Sequence, residues 1–264
     1  MQPIAIFGIT GRMGQALLHA VRGGSSFQLC GAVASADSPR LGQDAAAEGA
    51  ATGVLITSDA MLGIRGASVA VDFSVNTCVA AHARACAAAR VPILIGATAL
   101  SAASRSDLKD AAREIPVLVA PNTSVGVSVV AKLVSVAALG LGPAYDVEIF
   151  EAHHRTKRDA PSGTALALGA AVAEARGQSL DEVAVYDRGS QDRLPAAGSI
   201  GFASVRAGDI VGEHTVIFAG AGERVEVTHR ATDRNTFAQG ALRAAEWLIG
   251  QPAGLYGMRD VLGL

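Results

Sequence analysis

Short apolar runs alternate with helical patterns through the first half of the chain. Ile4–Phe7 reads as a buried strand, followed by glycines and a helix over about Arg12–Val21, where Met13, Leu17 and Val21 recur at every fourth position. Phe27–Val33, Val69–Phe73, Pro92–Gly96 and Pro116–Ala120 read as further strands, with helices predicted over Cys78–Ala89 and Ser104–Arg113. The strands are apolar throughout rather than at alternate positions. That predicts a parallel sheet covered on both faces by helices.

After a helix at about Val125–Leu139 the pattern changes. Asp146–Phe150, Ile200–Arg206, Glu213–Ala219 and Arg224–Arg230 read as strands. The last alternates, Val225 and Val227 facing one way and Arg224, Glu226 and Thr228 the other. Ala219-Gly-Ala-Gly222 predicts a hairpin between the last two. The result is an antiparallel or mixed sheet with one wet or ligand-facing side. A final helix at about Thr236–Ile249 places Phe237, Ala241, Ala244 and Leu248 on one face. The expected architecture is α/β, in two domains. Residues 1–124 and 235–264 form a Rossmann-like, doubly wound parallel sheet, and residues 125–234 an inserted α+β domain. No internal repeat or low-complexity tail interrupts this plan.

Composition narrows the function classes. With 264 residues, half of them hydrophobic (50%) and 17% charged, the chain has the make-up of compact domains. A net charge of -2 supplies no basic field, so neither nucleic acid nor an anionic membrane is an expected partner. A small anion needs only a local cationic site. Cys30, Cys78 and Cys86 are odd in number and unclustered, giving neither a disulfide framework nor a zinc site, and no metal is expected. Met1–Phe7 lacks the basic start and cleavage site of a signal peptide, so a cytoplasmic location is expected. Val125–Leu141 is broken by Gly126, Ser128, Lys132 and Ser135, short of the ~20 uninterrupted apolar residues of a membrane span.

Gly8, Gly11 and Gly14 fall in Gly-Ile-Thr-Gly-Arg-Met-Gly, between a predicted strand and a predicted helix. A tight turn there needs glycine conformations, and the helix start presents N–H groups at the positive end of its dipole, which suits a diphosphate. A strand–helix turn without a ligand would use the same glycines. Arg12 reads either as a phosphate partner or as an exposed helical arginine. An acid at the end of the second strand often binds the adenosine ribose in such folds. Here that position is Ser35, with Asp37 two residues on, and a serine does not repel a 2′-phosphate. NADH and NADPH both stay open.

The segment from Glu151 to Thr164, Glu-Ala-His-His-Arg-Thr-Lys-Arg-Asp-Ala-Pro-Ser-Gly-Thr, follows a strand and precedes the helical pattern Ala165–Ala175. His154, Arg155, Lys157 and Arg158 crowd five positions beside His153, an arrangement that repels itself unless an anion neutralises it. Pro161 suits the first helical turn, which Asp159 or Ser162 can cap. The N–H groups near Gly163 and Thr164 would then form an anion site. This picture implies a small, multiply anionic substrate, a dicarboxylate for example, against the plainer alternative of a solvated basic loop. His19 and His82 read as surface or packing residues. His214 and His229 lie on predicted strands that either face a ligand or do not.

The same segment resembles the signature of the 4-hydroxy-tetrahydrodipicolinate reductase (dihydrodipicolinate reductase) family of lysine and diaminopimelate biosynthesis. The resemblance extends over essentially the whole chain, through Gly8–Gly14, Asp72-Phe-Ser74, Ala120-Pro-Asn122, Ser124-Val-Gly-Val127, the run Arg206–His214, and Gly254–Leu264. It implies that His153 and Lys157 hold the acid/base and proton-donor positions, with His154, Gly163 and Thr164 binding substrate. It places the nicotinamide cofactor along Gly8, Ile9, Thr10, Gly11, Arg12 and Met13, along Gly96, Ala97 and Thr98, and along Ala120, Pro121, Asn122 and Thr123, with Ser35 at the ribose. Arg234 is a further candidate for a substrate carboxylate. The family reduces a cyclic imine dicarboxylate with hydride from NADH or NADPH, and its members are typically homotetramers built through the second domain's sheet.

Three stretches depart from the family pattern. Gly96-Ala-Thr-Ala99 stands where Gly-Thr-Thr-Gly is usual, and Asn122-Thr-Ser-Val-Gly-Val-Ser128 where Asn-Phe-Ser-x-Gly-Val-Asn is usual. Ser35 and Ala36 replace the ribose-binding acid and its neighbour. All three bear on cofactor preference rather than reaction class. A semialdehyde or homoserine-type dehydrogenase would share the two-domain plan, but the aldehyde enzyme wants a catalytic cysteine outside a strand or helix. A dinucleotide sensor would need the first domain and not His153 or Lys157.

Overall fold

The computed structural model describes residues 1–189, 194 and 196–264 and divides into two compact units, Met1–Val125 with Asn235–Leu264, and Gly126–Arg234. The first begins with β1 (Gln2–Phe7), α1 (Arg12–Arg22), β2 (Phe27–Val33), β3 (Ile56–Thr57) and α2 (Ala60–Gly63). It continues through β4 (Val69–Asp72), α3 (Val79–Ala89), β5 (Ile93–Ile95), α4 (Ala102–Ala111) and β6 (Pro116–Val119). The second contains α5 (Val125–Leu141), a 3-10 turn at Gly142–Ala144, β7 (Asp146–His153), α6 (Gly163–Ala175), α7 (Leu180–Val183), β8 (Ala184–Val185), β9 (Ile200–Arg206), β10 (Gly212–Ala219) and β11 (Arg224–Ala231). The chain then returns to the first unit in α8 (Asn235–Leu248), β12 (Gly254–Tyr256) and α9 (Met258–Leu262).

The first unit's seven strands are parallel, in the order β12-β6-β5-β4-β1-β2-β3. Continuously apolar strands make both faces dry. Ile4, Ile6, Val69, Val71, Leu94 and Leu118 point to one side, where α1 and α8 pack. Ala5, Phe7, Ala70, Ile93, Ile95 and Val117 point to the other, under α3 and α4. The strand order reverses between β1 and β4, and such a reversal leaves a crevice at the carboxyl ends of the strands. The ladder at β3 and β12 extends the sheet beyond the strands expected from the sequence.

The second unit's five-stranded sheet runs β11-β10-β7-β9-β8 and is mixed. β10 lies antiparallel to β7 and β11, whereas β9 is parallel to both β7 and β8. The expected hairpin forms, Ala219 pairing with Arg224 and Gly220 N–H donating to the Glu223 carbonyl at 3.0 Å. Val147, Ile149, Val216 and Phe218 turn inward beneath α5 and α6. By length and composition the helical stretch Val125–Ala144 would suffice to cross a membrane. Here Val127, Val130, Val134 and Ala138 bury one face of α5 in this core, while Leu133, Val136 and Leu139 stay exposed.

The start of α6 corrects one sequence reading. Ser162 is the N-cap, its hydroxyl accepting from Ala165 N–H at 3.2 Å, so Pro161 precedes the helix instead of opening it. Asp159, the other capping candidate, is drawn away to Lys157 at 2.8 Å. A buried carboxylate ties this helix start to the sheet. Glu151 accepts two bonds from Arg206, Nη1 to Oε2 at 2.8 Å and Nη2 to Oε1 at 2.7 Å, and Ser162 N–H donates to Oε1 at 3.2 Å.

Burial alone would raise the Glu151 carboxyl, but hydrogen bonds from Arg206, Ser204 and His153 outweigh it and hold the group down at about 2, against an ordinary 4.5. A depressed carboxyl stabilises the fold fully above its unfolded value and loses that contribution as pH falls towards its folded value. For Glu151 the window runs from about 4.5 down to about 2 and carries roughly 3 kcal/mol. Glu151→Gln should lower stability at neutral pH by about that amount and flatten the acid limb, as urea titrations across pH will register. An unchanged acid limb would remove Glu151 as its source.

Candidate functional site

Both predicted site regions form around the ends of sheet strands, one in each unit. In the first, the residues Gly8–Met13 occupy the turn between β1 and the first turn of α1. Gly8 N–H and Ile9 N–H donate to the Val33 carbonyl at 2.9 and 3.1 Å, bending the chain sharply over β2. Gly8 has a φ of +75°, and a Cβ there would lie 2.8 Å from the Phe73 carbonyl oxygen. At Gly14 a Cβ would come within 2.3 Å of the Gly8 oxygen, so α1 can pack this closely only without a side chain.

A cleft of about 270 Å³ opens at the β1/β4 reversal, lined by Gly8, Thr10, Gly11, Ala34, Ser35, Phe73, Ser74 and Cys78 among others. Gly11 caps α1 with no side-chain acceptor, and its first turn carries no acid, so the helix end is left electropositive. Backbone donors, glycine clearance and an uncharged Ser35 match a dinucleotide diphosphate and ribose. Gly96–Thr98 and Ala120–Thr123 are the loops after β5 and β6, next along the same edge. Ile9, Ala97, Ala120 and Thr123 are buried and offer backbone groups only. The Thr123 hydroxyl is committed to the Phe237 carbonyl at 2.7 Å. Arg12 lines a separate depression with Gln15, His19 and Arg22.

In the second unit, strand pairing assembles the polar cluster. Glu151 and His153 are two apart on β7 and share a face; Glu151 is paired with His214 and with Ser204, and His153 with Arg206. His214 is in turn paired with His229. His153 Nδ1 lies 2.6 Å from the Glu151 carboxylate. This fixes the tautomer with hydrogen on Nδ1 and leaves Nε2 over Gly212, where a Cβ would meet it at 3.0 Å. Burial lowers the His153 pKa, and Glu151 offsets only part of that, so the ring is neutral at neutral pH. His214, pushed down by burial to about 4, is also neutral. It meets the His153 ring edge-on at 5.1 Å between centroids, and its Nε2 lies 3.0 Å from the Ser162 hydroxyl.

Lys157 sits in the loop between β7 and α6, paired with Asp159. Burial would raise the Asp159 carboxyl, but this ammonium holds it below its usual range. His154 Nδ1 bonds the Thr156 hydroxyl at 2.8 Å. Gly163 and Thr164 form the first turn of α6, and open space surrounds Gly163. The unit therefore combines a neutral, oriented imidazole, a lysine ammonium and the positive end of a helix. Arg155 and Arg158 are exposed beside them, and Arg234 is exposed at the unit's last residue.

Sequence reasoning missed Glu151, Arg206, Ser162 and His214 as one network. The i, i+2 spacing of Glu151 and His153 was available in the alternation of a strand extended to His153. The pairing with Arg206 was not, because register across strands is invisible in sequence. The three cysteines all belong to the first unit, whereas this cluster belongs to the second.

Comparison with known proteins agrees along the whole length. A family model described as dihydrodipicolinate reductase, N-terminus, matches residues 2–123, and its C-terminal counterpart matches residues 126–262. The 4-hydroxy-tetrahydrodipicolinate reductase of Thiobacillus denitrificans is 53% identical over 262 residues, spanning 99% of this chain and 98% of that protein. The solved structure of dipicolinate-bound dihydrodipicolinate reductase from Paenisporosarcina sp. TG-14 has a TM-score of 0.77 at 25% identity, over 98% of this chain and 99% of that one. Aspartate semialdehyde dehydrogenase II from Vibrio cholerae shares only the fold, with a TM-score of 0.54 at 13% identity over 94% of this chain and 99% of that one. With both family models matched in order and a relative this similar end to end, the chain belongs to the 4-hydroxy-tetrahydrodipicolinate reductase (dihydrodipicolinate reductase) family.

Proposed function

We propose that this chain reduces the cyclic imine dicarboxylate derived from 4-hydroxy-tetrahydrodipicolinate to tetrahydrodipicolinate, using NADH or NADPH. The observation that carries the reading is the grouping of His153, Lys157 and the positive end of α6 on the Glu151–Arg206 anchor, within the family's signature segment. When bound, the nicotinamide supplies a hydride. Everything else falls to side chains and backbone of the chain itself.

One substrate carboxylate is bound at the α6 N-terminus, by the backbone of Gly163 and Thr164, with His154 beside it. Hydride addition leaves an electron-rich centre that must gain a proton. Lys157 donates it, because its ammonium is a cation and His153 is neutral at neutral pH. His153, oriented by Glu151, accepts or relays a proton through Nε2. Lys157 leaves Asp159 as it engages the anion, exchanging one carboxylate for another.

Both nicotinamide cofactors serve in this proposal, since Ser35 at the end of β2 brings no charge against a 2′-phosphate. The inserted unit also supports assembly as a homotetramer. Its sheet face opposite His153 exposes Phe150 and Val205, and α5 exposes Leu133, Val136 and Leu139, more apolar surface than a lone unit needs.

Three measurements test this. With substrate formed in situ from pyruvate and aspartate semialdehyde by the preceding synthase, nicotinamide absorbance should fall with NADH and with NADPH in separate runs. Absence of oxidation with either, in a folded and cofactor-binding chain, would sink the reaction. Lys157→Ala should leave cofactor binding intact and lower turnover by about 100-fold or more, the scale of a lost proton donor; near-normal turnover would take Lys157 out of the mechanism. Sedimentation velocity should give a tetramer, and a monomer at micromolar concentration would refute the assembly.

A further inference from the structure

Asp72 ends β4 with its carboxylate wholly buried, in a core that is otherwise apolar, and the reaction has no use for it. Two donors satisfy it. Ser74 N–H reaches Oδ1 at 2.8 Å, and His82, from α3, meets Oδ2 with Nδ1 at 2.8 Å. The His82 ring is itself held flat against Phe7 of β1, centroids 4.2 Å apart and planes inclined by 19°. Its side chain is 15% exposed, into the cleft that Gly8 and Ser35 also line.

The residues between these anchors are pinned from both sides. Phe73 N–H donates to the Phe7 carbonyl at 3.2 Å, and Gly96 N–H donates to the Asp72 carbonyl at 2.8 Å. The Phe73 carbonyl backs directly onto Gly8, and the Phe73 ring lies across Gly96, where a Cβ would sit 2.3 Å from it. The Asp72–Ser74 bend is thus the spacer between the glycine turn and the Gly96 loop. A buried, hydrogen-bonded carboxylate–imidazole pair is an expensive way to stabilise a core, because a packed apolar pair would serve at least as well. Such a pair is worth keeping where a bend must be held in one geometry.

We infer that the Asp72–His82 pair is a positioning device for the dinucleotide site. It fixes the Phe73–Ser74 bend, and with it the separation of the diphosphate turn from the Gly96 loop. The inference rests on the dinucleotide reading of the cleft. Because the pair touches no reacting atom, its loss weakens cofactor binding more than it slows the bound enzyme.

The test is titration of the full chain with NADH and NADPH, read by nicotinamide fluorescence, with steady-state kinetics alongside. His82→Phe keeps the stack on Phe7 and removes the donor; its Kd for both cofactors should rise by about tenfold or more, with kcat at saturating cofactor changing far less. Asp72→Asn keeps both hydrogen bonds in a neutral form, and its Kd should stay within about threefold of the unaltered chain. If His82→Phe does not fold, the double variant Asp72→Asn/His82→Phe, which leaves no buried charge, carries the same expected loss. A folded His82→Phe or double variant with unaltered Kd would overturn the inference. So would Asp72→Asn binding as poorly as His82→Phe, since charge and not geometry would then be at work. An unaltered chain that binds neither nucleotide would overturn the dinucleotide reading itself, and the inference with it.

Discussion

Everything in the second unit that bears on chemistry is referred to one buried carboxylate. Glu151 has no contact with water, and an ionised carboxyl so placed persists only if its lone pairs are taken by donors. Arg206 takes two, and His153, the Ser204 side chain and the Ser162 backbone take one each. These donors come from β9, from β7 itself and from the start of α6, so satisfying Glu151 fixes the register of β9 against β7, the starting point of α6 and the tautomer of the imidazole together. The start of α6 and the His153 end of β7 cannot be adjusted separately. Stability and reactivity here draw on the same group.

The two units build their sites by opposite means. Around Gly8 and Gly96 the candidate surface consists of backbone brought close where any side chain would clash. Around His153 it consists of ionisable side chains whose charge states are set by burial and by one another. The first suits a large, conformationally extended cofactor that must be met along its length. The second suits a compact anion that must be met at particular atoms.

Much of this was legible in the chain. The apolar run Phe27–Val33 and the alternating run Arg224–Arg230 appear as strands almost where periodicity puts them, because burial on two faces or on one leaves distinct patterns. Ile56–Thr57, Ala184–Val185 and Gly254–Tyr256 were not legible: two or three residues carry no period, and only an existing sheet edge makes them strands. In the basic segment the cap was left open between Asp159 and Ser162, and Pro161 was placed inside the first turn it in fact precedes. Local preference allows either arrangement, and the choice is made by Glu151 and His214 reaching in from the sheet. The Asp72–His82 pair was hidden for a similar reason. Ten residues apart, on a strand and a helix, they meet only after the crossover closes.

The first unit is discontinuous, and this orders events during synthesis. Ile4, Ile6, Val69, Val71, Leu94 and Leu118 leave the ribosome long before Ala238, Ala241, Leu242 and Leu248 of α8, which share their core. The inserted unit is contiguous and can complete its fold first. Until the last thirty residues emerge, one half-clad face of the parallel sheet therefore waits open, a surface for holding chaperones to find and for proteases to sample.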